Sequence, residues 1–209
     1  MAHTIADVLC GRSHPAEAIR RDLISANLTL AEAELTLSGK MGRELALRRA
    51  LAEVSDDYGL ILIDCPPSLG LLTVNALVAA DRALITAEAQ YFALRGIEQA
   101  IEVVELARDG LNTELSVLGV LLNLADMRTI HSREVLASLK ERFRELVLGT
   151  VVRASIAYAE SAALARSILD YRPDLGADYL ALADEVLERL PGLRDASLAE
   201  RPSLSSCGT

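Results

Sequence analysis

Residues 58–70 read Tyr-Gly-Leu-Ile-Leu-Ile-Asp-Cys-Pro-Pro-Ser-Leu-Gly, and this stretch decides the fold class of the chain. Four consecutive aliphatic residues lead into one carboxylate, Asp64, and the chain then turns at Pro66-Pro67. A continuous aliphatic run is typical of a parallel strand that is buried on both faces, and such strands present polar residues at the carboxyl edge of a sheet. The stretch therefore predicts a buried strand, Leu60–Asp64, that delivers an acid to a sheet edge.

The rest of the chain alternates between helix-like and strand-like apolar patterns. Short apolar runs predict strands at Ile24–Leu30, Arg82–Thr86, Val117–Leu122 and Gly149–Val152. Helical spacing predicts helices at 31–54 (with a break at Gly39 and Gly42), Leu71–Ala80, Ala93–Arg108, His131–Leu146, 156–166 and 177–190. The alternation indicates an α/β fold, with a mostly parallel sheet flanked by helices. We expect one domain over residues 1–190 and a flexible tail over residues 191–209.

Composition narrows the classes of function. The chain has 209 residues, 51% of them hydrophobic, so it can bury a substantial core. A net charge of −9 excludes a protein whose whole surface binds nucleic acid, although a local basic face stays possible. Cys10, Cys65 and Cys207 lack metal-ligand spacing and fit reduced thiols. No apolar stretch reaches the roughly 18 residues of a spanning helix, and the N-terminus lacks the order of a signal peptide.

Several segments are similar, in the same order and at similar spacing, to the ParA/Soj family of partitioning ATPases. The Asp-Cys-Pro-Pro-Ser-Leu-Gly stretch resembles the Walker B strand of that family and the turn after it. Further similar segments are Ser25–Leu35, Leu71–Leu77, Gln90–Ile97, Gly119–Thr129, Val152–Glu160 and Gly176–Tyr179. The resemblance runs over residues 4–190 and implies a P-loop NTPase-like fold.

The resemblance also implies a site for ATP and Mg²⁺. In the family, the acid at the position of Asp64 holds the Mg²⁺ of bound ATP, usually through water, so Asp64 is the implied metal-binding and catalytic residue. Asn123, Asp126 and Arg153 stand at positions that lie near the nucleotide in relatives. Simpler interpretations stay open for each: an asparagine that ends a strand, a loop aspartate bonded to its own backbone, and a surface ion pair.

The glycine-rich phosphate-binding loop of the family has no counterpart in these 209 residues. Such a loop aims backbone N–H groups and a lysine at the phosphates. The two lysines, Lys40 and Lys140, lie in no such loop; Gly39-Lys40-Met41-Gly42 lacks the spacing and the Ser or Thr, so we interpret it as a helix break. We therefore expect a chain that is truncated at its N-terminus relative to the family and hydrolyses ATP very poorly or not at all. The apolar faces beside the missing strands should then be exposed.

The family resemblance further implies partners and a location. Relatives bind DNA through basic residues of their C-terminal segments, and Arg166 and Arg172 are the candidates in this chain. A ParB-like partner protein, nonspecific DNA and a homodimer are implied, in the cytoplasm and associated with the bacterial nucleoid. The chain has no terminal amphipathic basic helix that would favour attachment to a membrane.

Two functions of different classes are consistent with these residues. The first is a ParA/Soj-type ATPase of chromosome or plasmid partitioning whose hydrolytic apparatus is incomplete in this chain. The second is an interaction module or inhibitor that acts without hydrolysis, by pairing with a full-length relative.

Overall fold

The computed structural model describes residues 3–190, which form two units. Unit 1 contains the described residues up to Ala83 together with Glu98–Val117. Unit 2 contains Leu84–Ile97 and the described residues from Leu118 onward. The predicted flexible tail, 191–209, and Cys207 lie outside the described residues.

Several short helices lie in unit 1. They are α1 (Ile5–Leu9), α2 (Pro15–Ala18), α3 (Thr29–Ser38), α4 (Ala46–Leu51) and α5 (Leu71–Ala79), with single 3-10 turns at Arg43–Leu45 and Ser55–Asp57. Two short strands, β1 (Ile19–Arg20) and β2 (Leu23–Ile24), pair antiparallel between α2 and α3. Gly42 has a φ of +64°, a conformation that favours glycine, so the predicted break in the helical segment 31–54 is confirmed.

Buried asparagines join the helices of unit 1. The Asn75 side chain on α5 accepts a hydrogen bond from the backbone N–H of Leu47 (3.1 Å) and donates to the carbonyl oxygens of Arg43 (2.9 Å) and Leu71 (3.0 Å). Asn112 Nδ2 donates to three carbonyl oxygens at the end of α5, the shortest bond being 2.7 Å to Ala80. Both amides thereby satisfy backbone groups that helix ends leave unpaired. The chain that leads into the Asp64 segment and the helix that follows it are held together in this way.

The main sheet has three strands in the order β3-β4-β5. The strands and their connecting helices are β3 (Arg82–Glu88), α6 (Ala93–Gly110), β4 (Ser116–Ala125), α7 (Ile130–Phe143) and β5 (Val147–Arg153), followed by α8 (Ala157–Ala163), α9 (Ile168–Tyr171) and α10 (Pro173–Arg189). Strands β4 and β5 are parallel, with Val120 opposite Val147 and Ala125 opposite Arg153. The predicted α/β fold with helices around the sheet is confirmed. Within residues 3–190, no helix is both long and apolar enough to cross a membrane.

One carboxylate on α10 stabilises an irregular part of β5. The register of β4 and β5 shifts between the pairs Val120–Val147 and Leu122–Val151, so two extra residues of β5 must be accommodated. Within that interval, the backbone N–H groups of Gly149 and Thr150 both donate to the Glu185 carboxylate at 2.8 Å. Burial alone raises the pKa of Glu185, but these donors and the nearby Arg189 guanidinium together hold that pKa below its usual value.

Two of the predicted strands are wrong. Leu60–Asp64 has no regular secondary structure, and within residues 3–190 its backbone makes no hydrogen bond to another backbone group. A run of aliphatic residues becomes a strand only when another strand supplies backbone partners, and the described residues place none beside it. The segment Ile24–Leu30 is a strand only at its first residue, because Asn27 starts the turn into α3 by accepting a hydrogen bond from the Thr29 N–H at 3.1 Å.

We expect Glu185→Gln to lower the free energy of unfolding by about 1–2 kcal/mol at pH 7, because a neutral amide replaces a charged acceptor of two N–H bonds. The folded-state pKa of Glu185 is depressed, so its stabilising contribution is present above the unfolded-state pKa of about 4.3 and is lost as the pH falls through the folded-state value. Urea unfolding at several pH values should therefore show the two proteins converging toward acid pH.

Asp184→Asn is the matched control for this change. Asp184 is the exposed neighbour of Glu185 on α10, and its loss removes the same charge without touching β5. An equal loss of stability in both variants, or a difference that does not depend on pH, would contradict the assigned role of Glu185.

Candidate functional site

Asp64 ends the unpaired aliphatic run and carries a free carboxylate. The residue is exposed, and its carboxylate has neither a hydrogen bond nor an ion pair with any residue of the described chain. Of the side chains before it, Leu62 is 83% exposed and Ile63 packs against the cluster formed by Leu9, Leu37, Leu47 and Ala76. The chain is therefore anchored immediately before Asp64, while the acid itself faces solvent.

The segment that follows Asp64 is tied to the start of α5. Glu34 Oε1 accepts a hydrogen bond from the backbone N–H of Leu71 at 3.0 Å, and Thr73 Oγ1 donates to the Ser68 carbonyl at 2.6 Å. A Cβ at Gly70 would lie 2.9 Å from Glu34 Oε1, so a larger residue there would push the Glu34 carboxylate away from this contact. Glu34 was not predicted from the sequence, because a bond between residues 37 positions apart leaves no local signal.

Cys65, the neighbour of Asp64, does not have the electrostatics of a reactive thiol. Desolvation raises the pKa of the Cys65 thiol, and the charge of Asp64 raises it further, even though the residue as a whole is exposed. A thiol with a raised pKa is mostly protonated at neutral pH and is a weak nucleophile. The raised pKa of the thiol thus favours Asp64 over Cys65 as the residue of this segment that could take part in binding or catalysis.

The other three predicted nucleotide-site residues meet at one edge of the sheet, in unit 2. Asn123 and Asp126 flank the last residues of β4, and Arg153 ends β5 opposite Ala125. The register of β4 against β5 shifts by one residue between Leu122 and Ala125, where Leu124 takes a φ of +51°. A bulge of this kind re-aims side chains at the end of a strand. The parallel sheet therefore brings Asn123, Asp126 and Arg153 to the same carboxyl edge, whereas Asp64 belongs to unit 1.

Local bonds engage Asp126 and, in part, Asn123. Both oxygens of Asp126 pair with the Arg128 guanidinium at 2.9 Å, and Asp126 Oδ1 also accepts the Arg128 backbone N–H at 3.1 Å. These bonds lower the pKa of Asp126 to about 2, so it is a permanent carboxylate at neutral pH. Asn123 Oδ1 accepts the Leu124 N–H at 3.0 Å, while its Nδ2 has no hydrogen-bond acceptor in the described part of the chain. Asn123 therefore keeps its donor available.

Arg153 is held by acids of α10. Its Nε lies 2.8 Å from Asp178 Oδ2, and its Nη2 donates to the Asp174 carbonyl oxygen. The hydrogen bond that Arg153 donates to the Asp178 carboxylate raises the pKa of Arg153, so the guanidinium stays charged. Beside this pair, the hydroxyl of Tyr158 is buried without a hydrogen-bond partner among residues 3–190. The end of β5 thus combines a positioned cation with an unsatisfied hydroxyl. Asp178 and Tyr158 were not predicted from the sequence, because the ion pair of Asp178 and the burial of the Tyr158 hydroxyl arise only in the folded chain.

The two candidate DNA-binding arginines differ in how far they are neutralised. Arg172 Nε lies 2.8 Å from Asp174 Oδ1, and this bond raises the pKa of Arg172. The Arg166 guanidinium instead lies 5.8 Å from the centre of the Tyr171 ring and pairs with no carboxylate of the described residues. Of the two, Arg166 retains the more available positive charge.

The residues fit a Mg²⁺–ATP site only in part. No group of three or more His, Cys, Asp or Glu side chains that could hold a metal ion exists within residues 3–190. Mg²⁺ is commonly bound by one or two carboxylates together with water and substrate phosphates, which the free oxygen atoms of Asp64 match. Lys40, by contrast, lies in the turn between α3 and α4 and donates to the Cys10 carbonyl at 3.1 Å, so the described chain supplies no lysine loop for a triphosphate.

The chain matches one family model and is similar to several known proteins. A family model described as "AAA domain" matches residues 1–117. The chain is 42% identical over 170 residues to an uncharacterized protein of Mycobacterium tuberculosis, covering 80% of this chain and 54% of that protein. It is 42% identical to the sporulation initiation inhibitor protein Soj of Bacillus subtilis (79% of this chain, 66% of Soj) and 34% identical to the chromosome-partitioning ATPase Soj of Treponema pallidum (89% and 77%). The chain thus spans between about half and two thirds of the length of the first two of these relatives.

Solved structures agree with these relatives in fold. Cobyrinic acid a,c-diamide synthase from Mycobacterium smegmatis, with a bound ATP analog and magnesium, is 39% identical and superposes with a TM-score of 0.68 over 77% of this chain and 70% of that chain. McdA from Cyanothece, in an ATP complex, is 22% identical with a TM-score of 0.76 over 88% and 75% of the two chains, and so supports the fold alone. The predicted P-loop NTPase-like fold is confirmed. By its fold and by its sequence identity to these relatives, the chain belongs to the ParA/Soj family of partitioning ATPases.

Proposed function

We propose that this chain is a ParA/Soj-type, ATPase-like protein of chromosome or plasmid partitioning, and that residues 1–209 by themselves are deficient in hydrolysis. The observation that carries the proposal is the free carboxylate of Asp64, directly after the aliphatic run and before Pro66-Pro67. An acid without a protein partner, at the place where the family holds a metal ion, is available for Mg²⁺ through water.

The edge of β4 and β5 supports a nucleotide-binding role in the same proposal. Asn123 keeps a free amide donor, and Arg153 is held in place as a permanent cation by Asp178. The unsatisfied hydroxyl of Tyr158 is a further polar group that a ligand or water would satisfy. Asp126, already paired with Arg128, contributes a fixed negative charge at this edge. These side chains would bind and orient a nucleotide at this edge, without carrying out its hydrolysis.

Deficient hydrolysis follows from the residues that hold phosphates. Phosphoryl transfer depends almost entirely on the electrostatic clamping of phosphate oxygens by backbone N–H groups, a lysine and Mg²⁺. The sequence contains two lysines, and neither lies in a glycine-rich loop between a strand and a helix. Asp64 can therefore contact a metal ion, but the described chain lacks the phosphate-binding loop that would position the triphosphate.

We expect purified residues 1–209 to release phosphate from Mg²⁺–ATP no faster than a buffer blank, because the triphosphate clamp is incomplete. A colorimetric phosphate assay checks this, with a full-length Soj relative as the positive control.

Asp64→Asn distinguishes the chain's own activity from a contaminant. We expect the variant and the unaltered chain to give the same background. Phosphate release that Asp64→Asn abolishes would show a complete hydrolytic site within these residues and would contradict the proposed deficiency.

The proposed partners are a ParB-like protein and nonspecific DNA, with the protein acting at the bacterial nucleoid in the cytoplasm. Arg166 supports the DNA contact, because its guanidinium has no neutralising carboxylate within the described residues. Arg172 forms an ion pair with the Asp174 carboxylate, so it contributes less. In an acidic chain, an isolated free cation of this kind adds to binding through the release of counterions from phosphate.

We expect Arg166→Gln to weaken the binding of duplex DNA and to reduce the slope of log K against log salt by about 1, because one phosphate contact is lost. Arg172→Gln should have a smaller effect. Binding is measured by fluorescence anisotropy at several salt concentrations, in a mixture with the full-length relative and ATP.

Arg95→Gln is the matched control for the DNA experiment. Arg95 is an exposed arginine of α6 that pairs with no carboxylate in the described part of the chain. If Arg95→Gln and Arg166→Gln weaken binding equally, general charge rather than a contact at Arg166 accounts for the effect.

The exposed run before Asp64 favours a second function, that of an interaction module. Leu60, Ile61 and Leu62 are 45%, 38% and 83% exposed, and the backbone of Leu60–Asp64 makes no hydrogen bond to backbone groups elsewhere in residues 3–190. Unpaired backbone groups together with exposed aliphatic side chains form a surface onto which another strand can add. In this candidate function, the chain pairs with a full-length ParA/Soj relative and acts without hydrolysis.

We expect Leu62→Glu to reduce pairing with the full-length relative at least tenfold, because a charge replaces an exposed leucine on the docking surface. Sedimentation velocity of the mixture measures the pairing. Leu28→Glu is the matched control, since Leu28 is 96% exposed and lies at the start of α3.

Circular dichroism should show both variants folded like the unaltered chain. Unchanged pairing in Leu62→Glu would contradict this second function. Tight binding of Mg²⁺–ATP by the isolated chain would also contradict it.

A further inference from the structure

A hollow on unit 1 collects basic side chains that the nucleotide chemistry does not use. This α1–α4 hollow has a volume of about 570 Å³ and lies among the loops after α1 and α3 and the helix α4. Its basic residues are Arg12, His14, Lys40, Arg43 and Arg49, and its acids are Glu17 and Glu53. Asp64 is not among its lining residues.

The acids of the α1–α4 hollow are engaged locally. Glu53 Oε2 lies 2.6 Å from His14 Nε2. Glu17 Oε2 accepts hydrogen bonds from Ser13 Oγ and from the His14 backbone N–H, both at 3.3 Å. Neither acid therefore pairs with a lysine or an arginine of the hollow.

Two cations of the α1–α4 hollow are left without a carboxylate. Lys40 Nζ donates to the Cys10 carbonyl oxygen at 3.1 Å, and the guanidinium of Arg49 has no hydrogen bond or ion pair with any other described residue. Arg12 and Arg43 pair with Asp7 and Glu44, acids that do not line the hollow. In a chain of net charge −9, two unneutralised cations on one concave surface form a local site of positive potential.

The loop between α3 and α4 shapes the hollow around these cations. An ideal Cβ at Gly42 would lie 3.1 Å from Arg49 Nη2, so the glycine lets the guanidinium lie against the loop backbone. The φ of +64° at Gly42 turns the chain there, between Lys40 and the start of α4. The loop thus places Lys40 and Arg49 on the same concave surface, beside an apolar floor formed by Val8, Leu9, Leu37, Ala46 and Ala50.

We propose that the α1–α4 hollow binds a small phosphate-bearing molecule, with Lys40 and Arg49 contacting the phosphate. Arginine offers a planar fork that matches phosphate geometry, and lysine adds a mobile point charge. A hollow of this volume suits a ligand of metabolite size, and a DNA duplex is too wide to enter it. The proposal is independent of the ATPase-like function, because it uses neither Asp64 nor the edge of β4 and β5.

Phosphate binding is tested by NMR titration of the ¹⁵N-labelled chain, at constant ionic strength and with EDTA present to exclude metal-bound nucleotide chemistry. The probes are inorganic phosphate, pyrophosphate and glycerol 3-phosphate, with glycerol as the uncharged blank. We expect saturable shifts at the amides of Gly11, Gly39 and Gly42 with the phosphates and none with glycerol. Stronger binding of glycerol 3-phosphate than of inorganic phosphate identifies an organic phosphate that uses the apolar floor; the reverse order identifies free phosphate.

The double variant Lys40→Gln, Arg49→Gln tests the two assigned contacts. We expect its affinity for pyrophosphate to be at least about tenfold weaker. The matched control, Arg48→Gln with Lys140→Gln, removes the same charge from exposed residues outside the hollow and should bind as the unaltered chain does. Asp64→Asn should also leave the affinity unchanged, which separates this site from the nucleotide site.

Three outcomes would overturn the proposal. Equal weakening in the two double variants means general charge attraction, and the absence of saturable shifts means that no site exists. Stronger competition at the same amides by a short DNA duplex than by pyrophosphate assigns the surface to nucleic acid instead. A folded spectrum for each variant keeps these outcomes interpretable.

Discussion

The structure depends on one constraint: the aliphatic run that ends at Asp64 has no hydrogen-bonded strand beside it in the described chain. Both sides of Asp64 are anchored. Ile63 packs into the cluster of unit 1, and Glu34 fixes the start of α5. The acid is therefore presented at a defined point of the chain while the residues before it remain exposed. The first proposed function rests on the anchored acid, and the second rests on the unpaired, exposed backbone before it.

In unit 2, acids of α10 stabilise the end of the sheet through hydrogen bonds and an ion pair. Glu185 accepts two N–H groups where β5 departs from regular pairing, and Asp178 holds Arg153 at the end of the same strand. Both carboxylates lie on one helix, so α10 maintains the geometry of the strand edge that carries the nucleotide-site candidates. Charged groups with several hydrogen bonds contribute more than surface ion pairs, which are screened by solvent.

Elements formed by interactions between nearby residues could be predicted from the sequence, whereas contacts between distant residues could not. β4 and α6 were predicted from periodicity, because a buried apolar strand and an amphipathic helix are encoded in consecutive residues. Leu60–Asp64 has an equally strong strand pattern, yet it is not a strand, because pairing needs a partner that a local pattern cannot supply. Asp64, Asn123 and Arg153 were predicted as site residues from the family resemblance of the segments that contain them, and they stay predictions. The contact of Arg153 with Asp178, across 25 residues, was visible only in the folded chain.

The aliphatic run has a consequence for the behaviour of the protein at high concentration. Leu-Ile-Leu-Ile is a short, uncharged segment of high β-propensity, and such segments nucleate cross-β stacking when they are exposed. Asp64, Pro66 and Pro67 follow it at once: repeated negative charge repels stacked copies, and proline lacks the N–H that a growing fibril requires. The turn that presents the acid therefore also places one charge and two prolines, residues that oppose amyloid-like stacking, directly after the run.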